Sequence, residues 1–248
     1  ETLLAGWLLS RVGVQPPTGM MTVAPQRADD RVTLGADGAL SGTVRQIPFA
    51  ANAGHIAILA HAGDAPVIAL VAASHCAIAE GLNIAGDNQN TVTFDGVTPS
   101  VVKPAPDGLD ARSLYMMGAA ARSAQMAGAL ESALQISVAY AQERVAFGRP
   151  IGKFQAVQHN LAELGCEVAA SAAASSSAAD ALQTALRKGD VFDQQIFLEV
   201  AAAKIRVGEA AGKGAAIAHQ AHGAIGFTKE HILNRFTRRL WAWRDDFG

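Results

Sequence analysis

The chain has 248 residues, half of them hydrophobic and 17% charged, which is enough apolar material for one large domain or two ordinary ones. The formal net charge of −2 argues against a nucleic-acid role, and no apolar run is long enough to span a membrane. Cys76 and Cys166 lie far apart, in no metal-ligand spacing, so we expect reduced, buried thiols, no metal site and a cytoplasmic protein.

The first two segments differ in hydrophobic period. Residues 2–12 place Leu and Trp side chains at helical spacing, and the run Pro16-Pro17-Thr18-Gly19 ends that helix. Short apolar segments separated by Gly, Asp and Pro then continue to the linker 103–107. They predict an antiparallel barrel or sandwich whose strands cover 31–34, 39–49, 55–60, 66–72 and 91–97.

The rest of the chain is predicted to be helical. Long stretches at 111–147 and 152–186, a third helix capped by Asp190 and a shorter one at 229–243 predict an antiparallel four-helix bundle. The inward face of the third helix is expected to carry Phe192, Ile196, Val200, Ala203 and Val207.

Residues 144–155, here called the joint segment, connect the first two bundle helices. Arg144 offers a guanidinium for a phosphate, Phe147 offers a ring face, and Gly148 and Gly152 permit close backbone approach. Gln155 falls in the first turn of the next helix, where anions are favoured. The pattern suits an anionic, planar ligand such as a flavin dinucleotide. The alternative is a plain connection in which Gly ends one helix and Pro begins the next.

Residues 220–227, here called the glycine turn, form a second candidate site. Gln220 offers an amide to a heteroaromatic edge, and Gly223 and Gly226 permit a tight turn against a ligand. The alternative is an ordinary helix C-cap. His219 and His222 have no third ligand at matching spacing, so a structural role is favoured over metal binding.

In this order, the joint segment, the later glutamine and the glycine turn resemble the pattern of acyl-CoA dehydrogenases. The resemblance implies an α+β fold with a small antiparallel β-barrel domain followed by an antiparallel four-helix bundle. Residues 1–18 would be the tail of an N-terminal helical domain, 19–106 the middle β-domain and 107–248 the bundle. Since the first residue is Glu1 rather than Met, we expect the chain to begin inside a longer gene product.

The same resemblance implies that FAD lies at a subunit interface of a homo- or hetero-oligomer, a dimer or tetramer. FAD belonging mainly to a partner subunit would be bound by Arg144, Phe147, Gln155, Gln220 and Gly223. The implied activity is α,β-dehydrogenation of an acyl-CoA thioester, in fatty acid or steroid catabolism. Electrons would pass to an electron-transfer flavoprotein.

Two departures from the family pattern affect that activity. The family's usual catalytic glutamate aligns with Phe247, and the alternative position on the first bundle helix aligns with Gly118. Asp246 would serve only if the loop shifted, so no catalytic base is assigned.

The second departure lies on the strand that flanks the flavin ring. Gln46 and Pro48 stand where relatives have an aromatic and a hydroxyl residue, leaving Phe49 to pack either on the ring or in the core. Two alternatives to a complete dehydrogenase follow. One is a non-catalytic subunit that completes the FAD site of a related partner, and the other is a scaffold that has lost the cofactor.

Overall fold

The computed structural model describes residues 1–27, 29–188 and 193–248. The chain divides into two compact units, residues 1–118 with Phe247, and residues 119–246 with Gly248. We call them the sheet unit and the helical unit, and each is described by itself.

The sheet unit begins with helix α1 (Thr2–Ser10), which lies against β1 and β4. Its strands are β1 (Met21–Ala24), β2 (Thr33–Leu34), β3 (Leu40–Pro48), β4 (His55–Ala62), β5 (Ala65–Ala72), β6 (Ala77–Ala79), β7 (Gln89–Val97) and β8 (Val101–Pro104). Sequence patterning anticipated β2, β3, β4, β5 and β7. It missed β1 and β6, and it assigned part of β8 to a linker.

The strands form one open sheet in the order β6-β7-β3-β2-β4-β5-β8, with β1 paired to β4. The predicted barrel is not confirmed, because the sheet does not close between its edge strands β6 and β8. The sheet is also not purely antiparallel, since β1 and β2 each pair with β4 in parallel. Edge strands of three and four residues offer few free backbone groups for closure.

Strand β4 shows why the sheet folds as it does. Its central residues Ile56–Ala60 are buried on both faces, so the segment reads as a continuous apolar run rather than an alternating one. One face joins the core of the sheet unit, with Val44, Ile47 and Phe94.

The helices of the bundle are α2 (Ala111–Glu143), α3 (Gln155–Lys188), α4 (Gln194–His222) and α5 (Leu233–Arg244). The core of the helical unit contains Met126, Leu130, Val207 and Leu240. A methyl group added at Gly214 would lie 2.6 Å from Leu130 and 3.1 Å from Leu164, so glycine there allows α2, α3 and α4 to approach closely.

Predictions about a helix cap and about the two cysteines need correction. The Asp193 carboxylate accepts from the Ile196 backbone N–H and caps α4, whereas the predicted cap Asp190 and the inward Phe192 lie outside the described residues. The prediction of buried cysteines is wrong, because Cys76 is half-buried and Cys166 is exposed. Among the described residues, no helix combines the length and apolarity needed to cross a bilayer.

Candidate functional site

The joint segment folds as a miniature β-hairpin rather than as a plain loop. Helix α2 ends at Glu143, and strands β9 (Val145–Ala146) and β10 (Arg149–Pro150) pair in antiparallel. The two residues between them, Phe147 and Gly148, have φ angles of +54° and +79°. Positive φ at both central positions is the backbone of a tight two-residue hairpin turn.

Phe147 is the most conspicuous residue of this hairpin. Its side chain is 95% exposed, and its backbone occupies the left-handed region, which is uncommon for a bulky residue. Strain of this kind persists where surrounding structure enforces it, and it concentrates at ligand sites. The fold therefore holds an aromatic ring in solvent at an energetic cost.

The joint segment also displays cationic side chains. Arg144, Arg149 and Lys153 are all exposed, and the Arg149 guanidinium lies 4.2 Å from the centre of the Phe154 ring. Gln155 is exposed as the first residue of α3, as predicted. Sequence reasoning did not include Arg149 among the candidate ligand-binding residues, although its position directly after the Phe-Gly pair could have suggested it.

Gly152 has a different role from the one predicted. A methyl group there would lie 3.0 Å from the Ala141 carbonyl oxygen, so this glycine allows the chain to approach the end of α2. A side chain at position 148 would meet no neighbouring atoms, so glycine is favoured there only because of the positive φ angle.

The glycine turn begins where α4 ends. Gly223 has a φ of +64°, its N–H donates to the His219 carbonyl, and a 3₁₀ turn follows over Gly223–Phe227. Gln220 and Gly223 are exposed, so both can reach a ligand. The C-cap alternative describes the backbone correctly, and it does not conflict with ligand binding.

A ring stack brings the two candidate segments together. The Tyr140 ring stacks on His222 with 4.4 Å between centroids, and the Tyr140 carbonyl accepts from the Arg144 backbone N–H. The joint segment and the glycine turn are therefore neighbours within the helical unit. Both His219 and His222 are buried, as a structural role requires. Within the described chain, no group of three His, Cys, Asp or Glu residues is arranged to hold a metal ion.

In the sheet unit, the two positions that align with the family's catalytic carboxylate lie in contact. A methyl group at Gly118 would overlap the Phe247 ring, which is 4% exposed and packs edge-on against Tyr115 at 5.7 Å. Phe247 also has a left-handed φ of +56°. Both positions therefore carry no acid, and the space beside Gly118 is filled by an aromatic ring.

Asp246 is held by an ion pair within the helical unit. Its carboxylate accepts from Arg122 Nε at 2.9 Å, and the Arg122 side chain is 7% exposed. Lys204 donates to the carbonyls of Arg244 and Gly248 at 2.7 and 2.9 Å. Burial lowers the pKa of Lys204, and the nearby Asp246 and Asp245 oppose that effect. These bonds fix the residues on either side of Phe247.

The end of β3 that the resemblance predicts to flank a flavin carries an ionic network. Gln46 has a φ of +60°, and its side-chain oxygen accepts from Arg27 at 3.1 Å. Arg45 donates to the buried Asp30 through Nε and its backbone N–H. A hydrogen bond from Arg27 and then one from Arg45 lower the pKa of Asp29 to about 2, against an opposing effect of burial.

Pro48 and Phe49 follow at the end of the same strand. The Pro48 carbonyl accepts from the Thr22 hydroxyl at 2.8 Å, so this polar group is already satisfied within the sheet unit. Phe49 is half-buried, with a φ of +56°.

An open β-sheet unit followed by a helical bundle is the acyl-CoA dehydrogenase-like fold. Residues 110–243, more than half of the chain, match the family described as acyl-CoA dehydrogenase, C-terminal domain. The chain belongs to this family.

Known proteins with similar sequence or structure agree. The acyl-CoA dehydrogenase IpdE2 of Mycobacterium tuberculosis (strain ATCC 25618 / H37Rv) is 36% identical over 117 residues, 47% of this chain and 33% of that protein. The chain thus matches about a third of that relative's length. Two solved structures share the fold. The ChsE4–ChsE5 complex from M. tuberculosis has a TM-score of 0.82 and 23% identity, covering 97% of this chain and 69% of that one. The steroid acyl-CoA dehydrogenase variant Tcur3481–Tcur3483 has a TM-score of 0.80 and 24% identity, covering 98% and 70%.

Proposed function

We propose that the chain is a subunit of an FAD-dependent acyl-CoA dehydrogenase and that its joint segment binds FAD at a subunit interface. Arg144 would pair with the pyrophosphate, Phe147 would stack on a ring of the cofactor, and Gln155, Gln220 and Gly223 would complete the contact. Bound FAD supplies a hydride acceptor for α,β-dehydrogenation of an acyl-CoA thioester.

The observation that carries this proposal is the strained, solvent-exposed Phe147. Burying an aromatic face removes apolar area from water, so a complex in which a ligand covers the ring is stabilised. The exposed guanidinium groups of Arg144 and Arg149 in the same segment favour an anion, since Arg forms paired hydrogen bonds with phosphate oxygens. A ligand with both a flat ring and a pyrophosphate satisfies both features at once.

A second candidate function is favoured by the contact between Gly118 and Phe247. An acyl-CoA dehydrogenase needs a carboxylate that reaches the substrate's α-carbon, and an aromatic ring at that place cannot accept a proton. The chain would then be the non-catalytic subunit of a hetero-oligomer, completing the FAD site of a catalytically complete partner. Electrons would leave that partner to an electron-transfer flavoprotein, and the protein would act in the cytoplasm.

The two candidates are separated by purifying the chain alone and together with a complete acyl-CoA dehydrogenase subunit from the same organism. We expect the chain alone to carry little flavin, and the pair to be yellow and bleached by acyl-CoA thioesters of graded chain length. Bleaching of the lone chain would establish the complete dehydrogenase and exclude the accessory subunit.

The FAD assignment itself is tested with Arg144→Ala in the assembled protein. Loss of one charge-assisted phosphate contact should weaken FAD binding by about tenfold to a hundredfold. Arg235→Ala, at an exposed arginine on α5, is the matched control and should leave the affinity unchanged. Equal flavin content in wild type and Arg144→Ala would remove the joint segment from the site.

A further inference from the structure

Ring contacts of His219 and His222 connect the glycine turn and the end of α4 to helices α2 and α5. The His219 ring lies between Phe227, at 4.0 Å between centroids, and Trp241 of α5, at 5.6 Å. The His222 ring stacks on Tyr140 of α2 and lies 4.7 Å from His231. Both imidazoles thereby connect the end of α4 to the segments around it.

The hydrogen bonds of these rings fit neutral imidazoles. His222 Nδ1 donates to the Ala218 carbonyl at 2.8 Å, so in the neutral ring Nε2 is a bare acceptor. His219 Nε2 lies 2.9 Å from the Thr237 hydroxyl. Within the described parts of the chain, His219 Nδ1 and His222 Nε2 are buried and have no hydrogen-bond partner.

Protonation would therefore place an N–H donor on each of these buried ring nitrogens, neither of which has a hydrogen-bond partner in the described structure. The room at His219 is small, because a methyl group at Gly226 would lie 3.3 Å from Nδ1. A buried donor on a charged ring is unfavourable when it has no hydrogen-bond partner. Opening of the turn would let water reach both atoms.

We propose that His219 and His222 form a pH-sensitive lock that holds the glycine turn in place while both rings are neutral and releases it when they are protonated. The lock is a property of the helical unit alone, so it does not depend on flavin binding. Where FAD binds the joint segment and the glycine turn, acidification would weaken that binding by loosening Gly223.

The groups around the lock favour the neutral state. Two titratable side chains contact the His222 ring, Tyr140 from α2 and His231 from the segment before α5. The His219 ring contacts Thr237 and Trp241 of α5 and Phe227 of the turn, and none of these three titrates. Burial, and then the neighbouring histidine, lower the pKa of His219 below its ordinary 6.5. Burial likewise lowers the pKa of His222, the Ala218 carbonyl opposes this, and His231 adds to it.

The direction of the pH effect follows from those shifts. The opened turn binds protons at the ordinary pKa near 6.5 and the closed turn at a lower one, so closure is fully favoured above 6.5. Closure is lost progressively as the pH falls below 6.5 towards the folded pKa values.

The test is hydrogen exchange at two amides of the turn in the full chain. Gly223 N–H donates to the His219 carbonyl, and Thr228 N–H donates to the Ile225 carbonyl at 3.1 Å. After correction for intrinsic exchange, we expect their protection to fall by about tenfold per pH unit below 6.5 for each titrating ring. Protection that stays constant down to about pH 5 would overturn the proposal.

The matched variants keep the hydrogen bonds and remove the titration. In His219→Gln the amide nitrogen stands in for Nε2, and in His222→Asn it stands in for Nδ1. The double variant should keep the turn protected at neutral pH and lose its pH response, whereas His159→Asn, at an exposed histidine on α3, should behave as wild type. A double variant that retains the pH response contradicts the lock.

A measurement on the wild-type chain covers the case in which the variants do not fold. The ring proton resonances of His219 and His222 should titrate below 6.5, at the low end of the pH range in which the Gly223 and Thr228 amides lose protection. Titration of the rings without loss of protection would overturn the proposal.

Discussion

The strand end around Gln46 and the hairpin around Phe147 are built in opposite ways. At the first, polar groups are satisfied within the sheet unit, since Arg45 binds Asp30 and Arg27 binds Gln46. At the second, an aromatic ring and two arginines face solvent. A region whose groups already have partners gains little from a ligand, whereas one that displays a strained ring gains much. The difference supports the proposal that this chain contributes more to a neighbour's cofactor than to its own.

The largest expected effect concerns the strand end around Gln46 and is measured as a change in stability. Arg45→Leu leaves the Asp30 carboxylate, which is 2% exposed, without its guanidinium. Leaving this buried carboxylate without its charged partner should lower the free energy of unfolding of the sheet unit, and by more than the control described next. Urea denaturation measures this change.

The matched control is Arg31→Leu, which removes a solvent-exposed pair with Asp64 at 3.8 Å. Its effect should stay within about 0.5 kcal/mol. Equal losses in the two variants would show that the network around Asp30 is not what holds this strand end together.

The next effect concerns the hairpin around Phe147, where stability and FAD affinity should change in opposite directions. Phe147→Asn removes the ring and places a residue that tolerates positive φ in the hairpin turn. Stability should rise by about 0.5–1 kcal/mol, and FAD affinity of the assembled protein should fall by about tenfold. A thermal melt and a flavin titration measure the two changes.

Val145→Thr alters another exposed apolar side chain of the same hairpin and should leave FAD affinity unchanged. Flavin binding that falls equally in both variants would mean that the hairpin matters only as an apolar surface.

A smaller effect concerns the titration of Asp29. Its pKa is lowered from 3.8 to about 2, with Arg27 as the main cause, so the ion pairs formed by Asp29 favour the fold above 3.8. That contribution is lost as the pH falls towards 2. In an NMR pH titration, Arg27→Gln should move the midpoint of the Asp29 carboxyl upward, towards 3.8. An unmoved midpoint would exclude Arg27 as the cause.

The smallest effect compares one thiol from each unit and changes neither stability nor binding. Burial raises the pKa of Cys76 to about 11, whereas Cys166 is exposed. Because the thiolate is the reactive form, iodoacetamide at about pH 8 should label Cys166 first and Cys76 at least tenfold more slowly. Mass spectrometry of digested peptides reads both sites, and preferential labelling of Cys76 would contradict its burial.

Sequence patterning predicted the helices well and parts of the sheet poorly, for identifiable reasons. The long helices are recognisable from the helical period of their apolar residues. Strand β1, however, pairs in parallel with the distant β4, and such pairing produces no local sequence pattern. Asp190 and Asp193 are three residues apart and both suit a cap, so composition could not choose between them.

Sequence reasoning identified the residue types of the candidate site but not their backbone conformation. Arg144, Phe147 and Gln155 were identified from the joint segment, and the structure leaves all three exposed. The left-handed turn was missed because Phe is rarely found there. The stacking of His219 and His222 joins side chains from separate helices, which no spacing along the chain encodes.

The contact between Gly118 and Phe247 also constrains how this chain can evolve. Any side chain gained at 118 would overlap the Phe247 ring, so the ring must be lost first. Removing a buried phenylalanine generally costs about 3–5 kcal/mol, a large share of a domain's stability. An acid at 118 would therefore require a smaller residue at 247 as well, and the variant that changes only residue 247 would be destabilised by the cavity it leaves.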